Sequence, residues 1–373
     1  MLTQTSKIVL AVTNDTFTDQ RVHKVAKTLY NSGFQVVVVG KRSKQAIENP
    51  DYAKIVRLPV IFKKGFLFYA EFNLRLCFRL LFIKADIFSA NDLDTLPAIV
   101  VAAKIKRSKV VYDSHEYFTQ SPEIVNRKIV RTVWQGIERC FINKIDAAIT
   151  VSSSIAQEYM SLYKIRFFVI RNLPVLNKEI KSRSLPEIFK KYNVIIYQGS
   201  LNVGRGLENA IRSMQFMGKH VKMVIIGTGD IDHQLKSLVK SLKLDTEVFF
   251  PGRISPDELP VLTRAAVLGF SLEEDLGKNY RYALPNKLFD YIHAEIPVIV
   301  SALPEMTKII EKYHTGLVVS NNDPKILAEV FSKIIHDSKI RQLMKNNCRI
   351  AKTELNWENE SVKLIKIYRN LLS

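Results

Sequence analysis

From Lys7 to Val319 the chain alternates short runs of β-branched and aromatic residues with longer amphipathic stretches. No other feature constrains the fold as much. Strands separated by helix-length segments cannot turn back as tight hairpins, so they pair in parallel and their crossover helices cover the sheet. The first half predicts strands at Lys7–Val12, Gln35–Gly40, Lys54–Leu58, Asp86–Ala90, Lys109–Asp113, Ala147–Val151 and Phe167–Ile170. A second series follows at Val194–Tyr197, Lys222–Ile226, Glu247–Phe250, Val267–Ser271, Val298–Ser301 and Leu317–Val319. The fold class is therefore α/β. With 373 residues, 47% of them apolar, there is material for two cores.

The stretch from Asn172 to Pro186 is polar, charged and proline-flanked, with no apolar period long enough for a core element. A linker over residues 176–190 is expected there, joining a domain of residues 1–175 to one of residues 191–356. After Asp323 the pattern is helical only, and Trp357–Leu372 reads as one amphipathic helix that packs back on the first domain.

Three segments of the second half gather groups suited to phosphate. In Leu284-Pro285-Asn286-Lys287-Leu288-Phe289-Asp290, a proline fixes the first helical turn, so the amides of Asn286, Lys287 and Leu288 are available to an anion. Lys287 adds a full charge, and Asp290 falls one turn on, within reach of a sugar hydroxyl. In Gly199-Ser200-Leu-Asn-Val-Gly204-Arg205-Gly206, a strand leads through glycines to a helix start beside an arginine that can bind two oxygens. Gly227-Thr-Gly229 follows another strand, as a tight turn or as an opening for a nucleotide. Arg253, in Phe250-Pro-Gly-Arg, sits where backbone could read a base edge.

Taken in order and spacing, these segments resemble the nucleotide-binding half of the GT-B glycosyltransferases, specifically glycosyltransferase family 4, and the resemblance covers nearly the whole chain. It implies two Rossmann-like domains with parallel sheets facing a central cleft. It also implies a retaining, metal-independent sugar transferase of the hexosyltransferase type, without a cofactor, that takes a nucleoside-diphosphate sugar to a hydroxyl acceptor in polysaccharide or lipopolysaccharide assembly. Arg205 and Lys287 would then hold the diphosphate, and Asp290 would take the place of the second glutamate of the family's E-x7-E motif. The first glutamate is missing, because Tyr282 stands eight residues before Asp290. Glu273, Glu274 or Asp275 could supply a carboxylate from the same loop, or form an acidic surface turn. A non-catalytic nucleotide-sugar or anion-binding protein is the alternative that Tyr282 favours, and a sugar-nucleotide epimerase of the same two-domain fold is a further one.

In the first half, Asp19, with Thr18 as the alternative, is placed to cap the helix after the first strand. Similar family members use this region near the acceptor, so Asp19 and Arg21 are acceptor-side candidates; a solvated basic face explains Arg21 and Lys24 equally. Asp113-Ser-His115-Glu ends a strand, where ligands of α/β folds collect, and the resemblance makes His115 a hydrogen-bond donor to the transferred sugar and leaving phosphate. Asp92-x-Asp94 precedes a helix and reads as a cap, not as a metal site.

The formal charge is +19, and residues 1–180 hold 27 Lys/Arg against 15 Asp/Glu, so the first half is the more basic. That balance suits anionic membranes, nucleic acid or phosphorylated substrates; no aromatic-basic motif or fold signature favours nucleic acid, and none is expected as a partner. Residues 62–84 gather Phe66, Phe68, Tyr69, Phe72, Phe78 and Phe82 with Arg75 and Arg79, either as an in-plane helix on an anionic membrane, near a lipid-linked acceptor, or as a helix against the core. Glu71, Arg75 and Arg79 interrupt this most apolar stretch too often for a membrane span. Three scattered cysteines and an N-terminus without a leader pattern predict a cytoplasmic protein, peripheral on the membrane at most.

Overall fold

The computed structural model describes residues 6–16, 19–42, 49–176 and 184–373. It divides into two compact units, one of Met1–Asn172 with Glu360–Ser373 and one of Leu173–Asn359. Unit 1 holds seven strands: β1 Lys7–Asp15, β2 Gln35–Lys41, β3 Lys54–Leu58, β4 Ile87–Asn91, β5 Lys109–Ser114, β6 Ala147–Thr150 and β7 Phe167–Val169. Their order is β3-β2-β1-β4-β5-β6-β7, and every recorded pairing is parallel. Unit 2 holds β8 Asn193–Gln198, β9 Val221–Ile226, β10 Val248–Gly252, β11 Leu268–Ser271, β12 Val298–Ser301 and β13 Gly316–Val319, in the order β10-β9-β8-β11-β12-β13, again all parallel. Each expected strand is present, with ends that differ by a residue or two except at β1, which runs on to Asp15.

The sheets bury both faces. In unit 2, Ile195 and Tyr197 of β8 belong to one core while Val194 and Ile196 belong to the other, because successive side chains point to opposite sides. That double burial explains why the strands read as unbroken apolar runs.

In unit 1, helix α1 (Gln20–Asn31) starts where the Asp19 carboxylate accepts the amide of Val22 at 3.1 Å. Thr18, the alternative cap, lies outside the described residues. Helices α2 (Gly65–Leu81) and α3 (Leu96–Lys106) cross to β4 and β5. The helix Trp357–Asn370 enters unit 1 at Glu360; there Leu364 and Tyr368 are buried and the Tyr368 hydroxyl donates to Ser89 Oγ at 3.2 Å.

The expected linker needs correction. Residues 187–191 form a short helix of unit 2, and its Ile188 and Phe189 pack against that unit's core. The boundary between units falls earlier, at Asn172 and Leu173. Leu173 is fully buried in the core of unit 2, which single-sequence polarity around it does not reveal. Residues 177–183 of the expected linker lie outside the described residues.

Leu364→Ala should remove a fully buried side chain and destabilise unit 1 by about 2–5 kcal/mol, read from chemical denaturation. A change within about 0.5 kcal/mol would show that the C-terminal helix does not stabilise that unit.

Candidate functional sites at the strand ends

In an open parallel sheet, the loops that follow neighbouring strands diverge where the strand order reverses, and the gap between them faces the carboxyl ends of the strands. Unit 2 reverses between β8 and β11; unit 1 reverses between β1 and β4. Most of the polar residues singled out in the sequence gather at these two points.

In unit 2 the loop after β11 buries Glu273 completely. Its Oε1 accepts Lys287 Nζ at 2.6 Å and Arg205 NH1 at 3.4 Å, while Oε2 accepts the Ser271 hydroxyl at 2.7 Å. Burial alone would raise this carboxyl; the charges of Lys287 and Arg205 win and hold it below the usual carboxylate range. Lys287 is buried too, with Nζ 3.3 Å from the Tyr197 hydroxyl and 4.5 Å from the ring centre. The Arg205 guanidinium lies 4.9 Å from the Tyr280 ring centre and keeps about a quarter of its side chain exposed. Two cations thus share one carboxylate, so these three residues together carry one net positive charge.

The sequence left Glu273, Glu274 and Asp275 open between a site carboxylate and a surface turn. The structure separates them: Glu273 joins the cation cluster, whereas Asp275 pairs at the surface with Arg281 at 2.6 Å. The available signal was position, since Glu273 is the second residue after β11.

Asp290 accepts Gln198 Nε2 at 2.9 Å, and Gln198 Oε1 accepts the Thr263 hydroxyl at 2.7 Å. Gln198 and Thr263 were not foreseen as site residues, though Gln198 ends a buried strand at the switch point. The helix Asn286–His293 begins with Pro285 as its N-cap, at φ −63° and ψ 136°, one position before the first helical residue. Of the three amides expected to face an anion, that of Leu288 already donates to the Pro285 carbonyl at 3.1 Å, and its side chain is fully buried. Leu288 is therefore a core residue, and the helix start retains the amides of Asn286 and Lys287.

The glycines serve chain packing first. A methyl on Gly227, at φ +142°, would lie 1.8 Å from the Gly199 carbonyl oxygen, and one on Gly206, at φ +68°, would lie 2.3 Å from that of Leu272. A methyl on Gly229 would similarly meet the Leu201 carbonyl. These residues let the loops after β8, β9 and β11 nest against one another, with Gly204 in the same turn and Gly199 and Ser200 exposed above it. Arg253 is exposed just past edge strand β10, two strands away from β8, and is not gathered with the Lys287 cluster.

In unit 1 the corresponding point is a denser charge cluster. Asp92, at φ +69°, accepts the His115 amide at 2.8 Å, and its second oxygen lies 3.3 Å from His115 Nδ1. His115 Nε2 lies 3.4 Å from Asp113, whose carboxylate also takes Arg21 NH2 at 2.9 and 3.2 Å. Burial opposes a charged imidazole, but Asp92 and Asp113 prevail and raise His115 to about 10. Burial likewise opposes the Asp113 charge, which Arg21 and His115 hold well below the usual range. His115 is consequently an imidazolium at neutral pH.

Two expectations fail here. Arg21 is neither solvent-facing nor open to an acceptor: it is 5% exposed, paired to Asp113 and bonded to the Ile170 carbonyl at 3.3 Å. Its place on the buried stripe of α1, next to Val22 and Val25, follows from the pairing with Asp113, a contact no local pattern encodes. Asp94 is not a helix cap either, because α3 begins after Thr95 and the Asp94 carboxyl takes the Thr13 hydroxyl instead. Burial and the Asp92 charge push Asp94 up to about 8. Asp19 acts as the cap described above, and Lys24 reaches Asn172 Oδ1 at 2.9 Å.

The chain's two halves match two family descriptions. Residues 19–173 match Glycosyltransferase Family 4, and residues 178–350 match Glycosyl transferases group 1. An uncharacterized glycosyltransferase of Methanocaldococcus jannaschii, MJ1607, is 27% identical over 181 residues, a stretch that spans 47% of this chain and 44% of that relative. Among solved structures, sucrose-phosphate synthase from Thermosynechococcus elongatus aligns at TM-score 0.79 and 16% identity, over 98% of this chain and 99% of that one. Anabaena HepE, solved with UDP-glucose, aligns at TM-score 0.75 and 15% identity over 98% and 99%. At these identities the structural likeness establishes the fold.

Asp94 yields a test of the unit 1 cluster. Its carboxyl pKa is raised on folding, so its contribution is fully present below its unfolded value and is lost as pH rises through about 8. Asp94→Asn should melt close to the parent at acid pH and above it at alkaline pH. Parallel melting curves for the two proteins across that range would contradict the buried, protonated assignment.

Proposed function

We propose that this chain, which belongs to the GT-B glycosyltransferases and resembles family 4, transfers a hexose from a nucleoside-diphosphate sugar to a hydroxyl acceptor with retention of configuration. The carrying observation is the Lys287–Glu273–Arg205 cluster at the switch point of unit 2. A site of this kind suits the diphosphate of a donor: two cations, a net positive charge and the start of the helix Asn286–His293 all lie at the same strand ends. HepE binds UDP-glucose on the same fold, which supports a nucleotide sugar as the donor class.

In this reading Lys287 and Arg205 bind the diphosphate and stabilise the charge that grows on it as the glycosidic bond breaks. Asp290, oriented by Gln198, takes a donor hydroxyl. Transfer proceeds on one face of the sugar, and the departing diphosphate helps to deprotonate the acceptor, so the reaction needs neither a dedicated base nor a bound metal or cofactor. In unit 1 the His115 imidazolium, held between Asp92 and Asp113, is a positively charged hydrogen-bond donor at the strand ends of its own sheet. An acceptor in cell-surface polysaccharide or lipopolysaccharide assembly is the pathway we favour. Tyr282 in place of the first motif glutamate leaves Glu273 as the buried carboxylate of this loop, occupied with the cations.

Arg205→Ala and Lys287→Ala should each lower turnover by about tenfold or more, measured as nucleoside-diphosphate release from UDP-, GDP- and ADP-sugars with acceptor present. Near-parental turnover in both variants would refute the assignment. Tight nucleotide binding by the parent chain without turnover of any donor would instead identify a binding protein.

A further inference from the structure

The helix α2 has two apolar faces, and only one is covered. Phe68, Phe72, Leu76 and Leu80 recur every four residues and are buried in unit 1. Leu67, Leu74, Phe78 and Phe82 follow a second stripe, at spacings of seven, four and four, and are 53%, 74%, 66% and 69% exposed. The sequence posed core helix and surface-lying helix as alternatives; the burial pattern shows one face in the core and a second apolar face open to solvent.

The open face extends beyond α2. The crossovers β3-α2-β4, β4-α3-β5 and the one that carries helix Lys128–Phe141 from β5 to β6 all advance in the same direction along the sheet, so right-handed connection sets the three helices on one side of it. Side-chain contacts join them. Asn73 of α2 bonds the amide of Ala98 in α3 at 3.2 Å, and Tyr69 packs edge-on against Trp134 at 5.1 Å. The outer residues Ile105 of α3 and Ile129 and Val133 of helix Lys128–Phe141 are 64%, 83% and 46% exposed. Ahead of α2, Ile61 and Phe66 are about three-quarters exposed on either side of Lys63 and Lys64.

Charge says what such a face meets. Lys63, Lys64, Arg79, Lys104, Lys128 and Arg139 are exposed among these apolar residues. The one carboxylate of α2, Glu71, is already committed: it accepts the amides of Ile61 and Phe62 and the Arg75 side chain at 2.7–3.0 Å. A second copy of the chain, docked face to face, would set these cations against their own equivalents. Projecting aromatic and aliphatic side chains amid lysines and arginines match the acyl boundary and the anionic headgroups of a bilayer.

We infer that α2, α3 and the helix Lys128–Phe141 form a docking surface for an anionic lipid bilayer, with the exposed apolar stripe entering the headgroup boundary and the basic residues contacting lipid phosphate. This is independent of the transferase reading, since it uses no residue of either strand-end site. Among the described residues no helix is long and apolar enough to span a membrane, so the contact would lie in the plane of the surface.

The test is sedimentation of the full chain with vesicles of phosphatidylcholine, alone or mixed with phosphatidylglycerol. Binding should require phosphatidylglycerol and weaken as salt is raised. Lys63→Glu with Lys64→Glu, and separately Leu74→Ser with Phe78→Ser and Phe82→Ser, should each lower the partition coefficient by about tenfold or more at unchanged melting temperature. Equal sedimentation with both vesicle types, salt-independent binding, or binding indifferent to both variants would overturn the inference. A concentration-dependent dimer that the apolar variant abolishes, with no vesicle binding by the parent, would identify a second copy as the occupant instead.

Discussion

Parallel pairing is the constraint from which the sites follow. Once every strand of a sheet runs the same way, all carboxyl ends share one edge, and residues scattered along the sequence meet there. Asn91, Ser114 and Thr150 end neighbouring strands in unit 1, as Gln198, Ile226 and Ser271 do in unit 2. The apolar strand bodies fix the sheet, and the first residues beyond them become chemistry. Glu273, Asp92 and His115 all lie one or two residues past a strand end.

Both units meet the same electrostatic difficulty at that edge. A buried charge is tolerable only when paired, and its partner must come from a distant segment. Unit 2 pairs Glu273 with Lys287 and Arg205; unit 1 pairs Asp113 with Arg21 and His115. These contacts span 14, 68 and 92 positions of sequence for Lys287, Arg205 and Arg21. They explain which expectations held. The strands were legible because period and composition are local, and the cap at Asp19 was legible because its partner is three residues away. Arg21 and Asp94 were misplaced because burial beside a remote partner leaves no mark in the neighbouring residues.

The same distinction governs the boundary near residue 173. Polarity and prolines suggested a linker, whereas Leu173, Ile188 and Phe189 are held by apolar surfaces formed much later in the chain. For α2 the sequence carried more information than a single reading could use. An apolar helix with one buried stripe needs few aromatics on its other side, and the surplus at Phe78 and Phe82 is intelligible only once the buried stripe is known.

Glu273 gives the unit 2 site its particular character. A pair of cations held close together with no anion would repel each other and destabilise the fold, and a fully matched pair of carboxylates would leave no attraction for a ligand. One carboxylate between two cations avoids both extremes: it keeps Lys287 and Arg205 together in the ligand-free protein and leaves a net positive charge. The bond to Lys287, at 2.6 Å, is the shorter, and that lysine is buried; Arg205, at 3.4 Å, retains solvent exposure and stacks on Tyr280. Its longer, partly exposed contact makes Arg205 the cation freer to move, while Lys287 is held in place by the buried carboxylate. The two basic residues are thus unequal, and the inequality comes from a glutamate whose importance the sequence motif alone did not disclose.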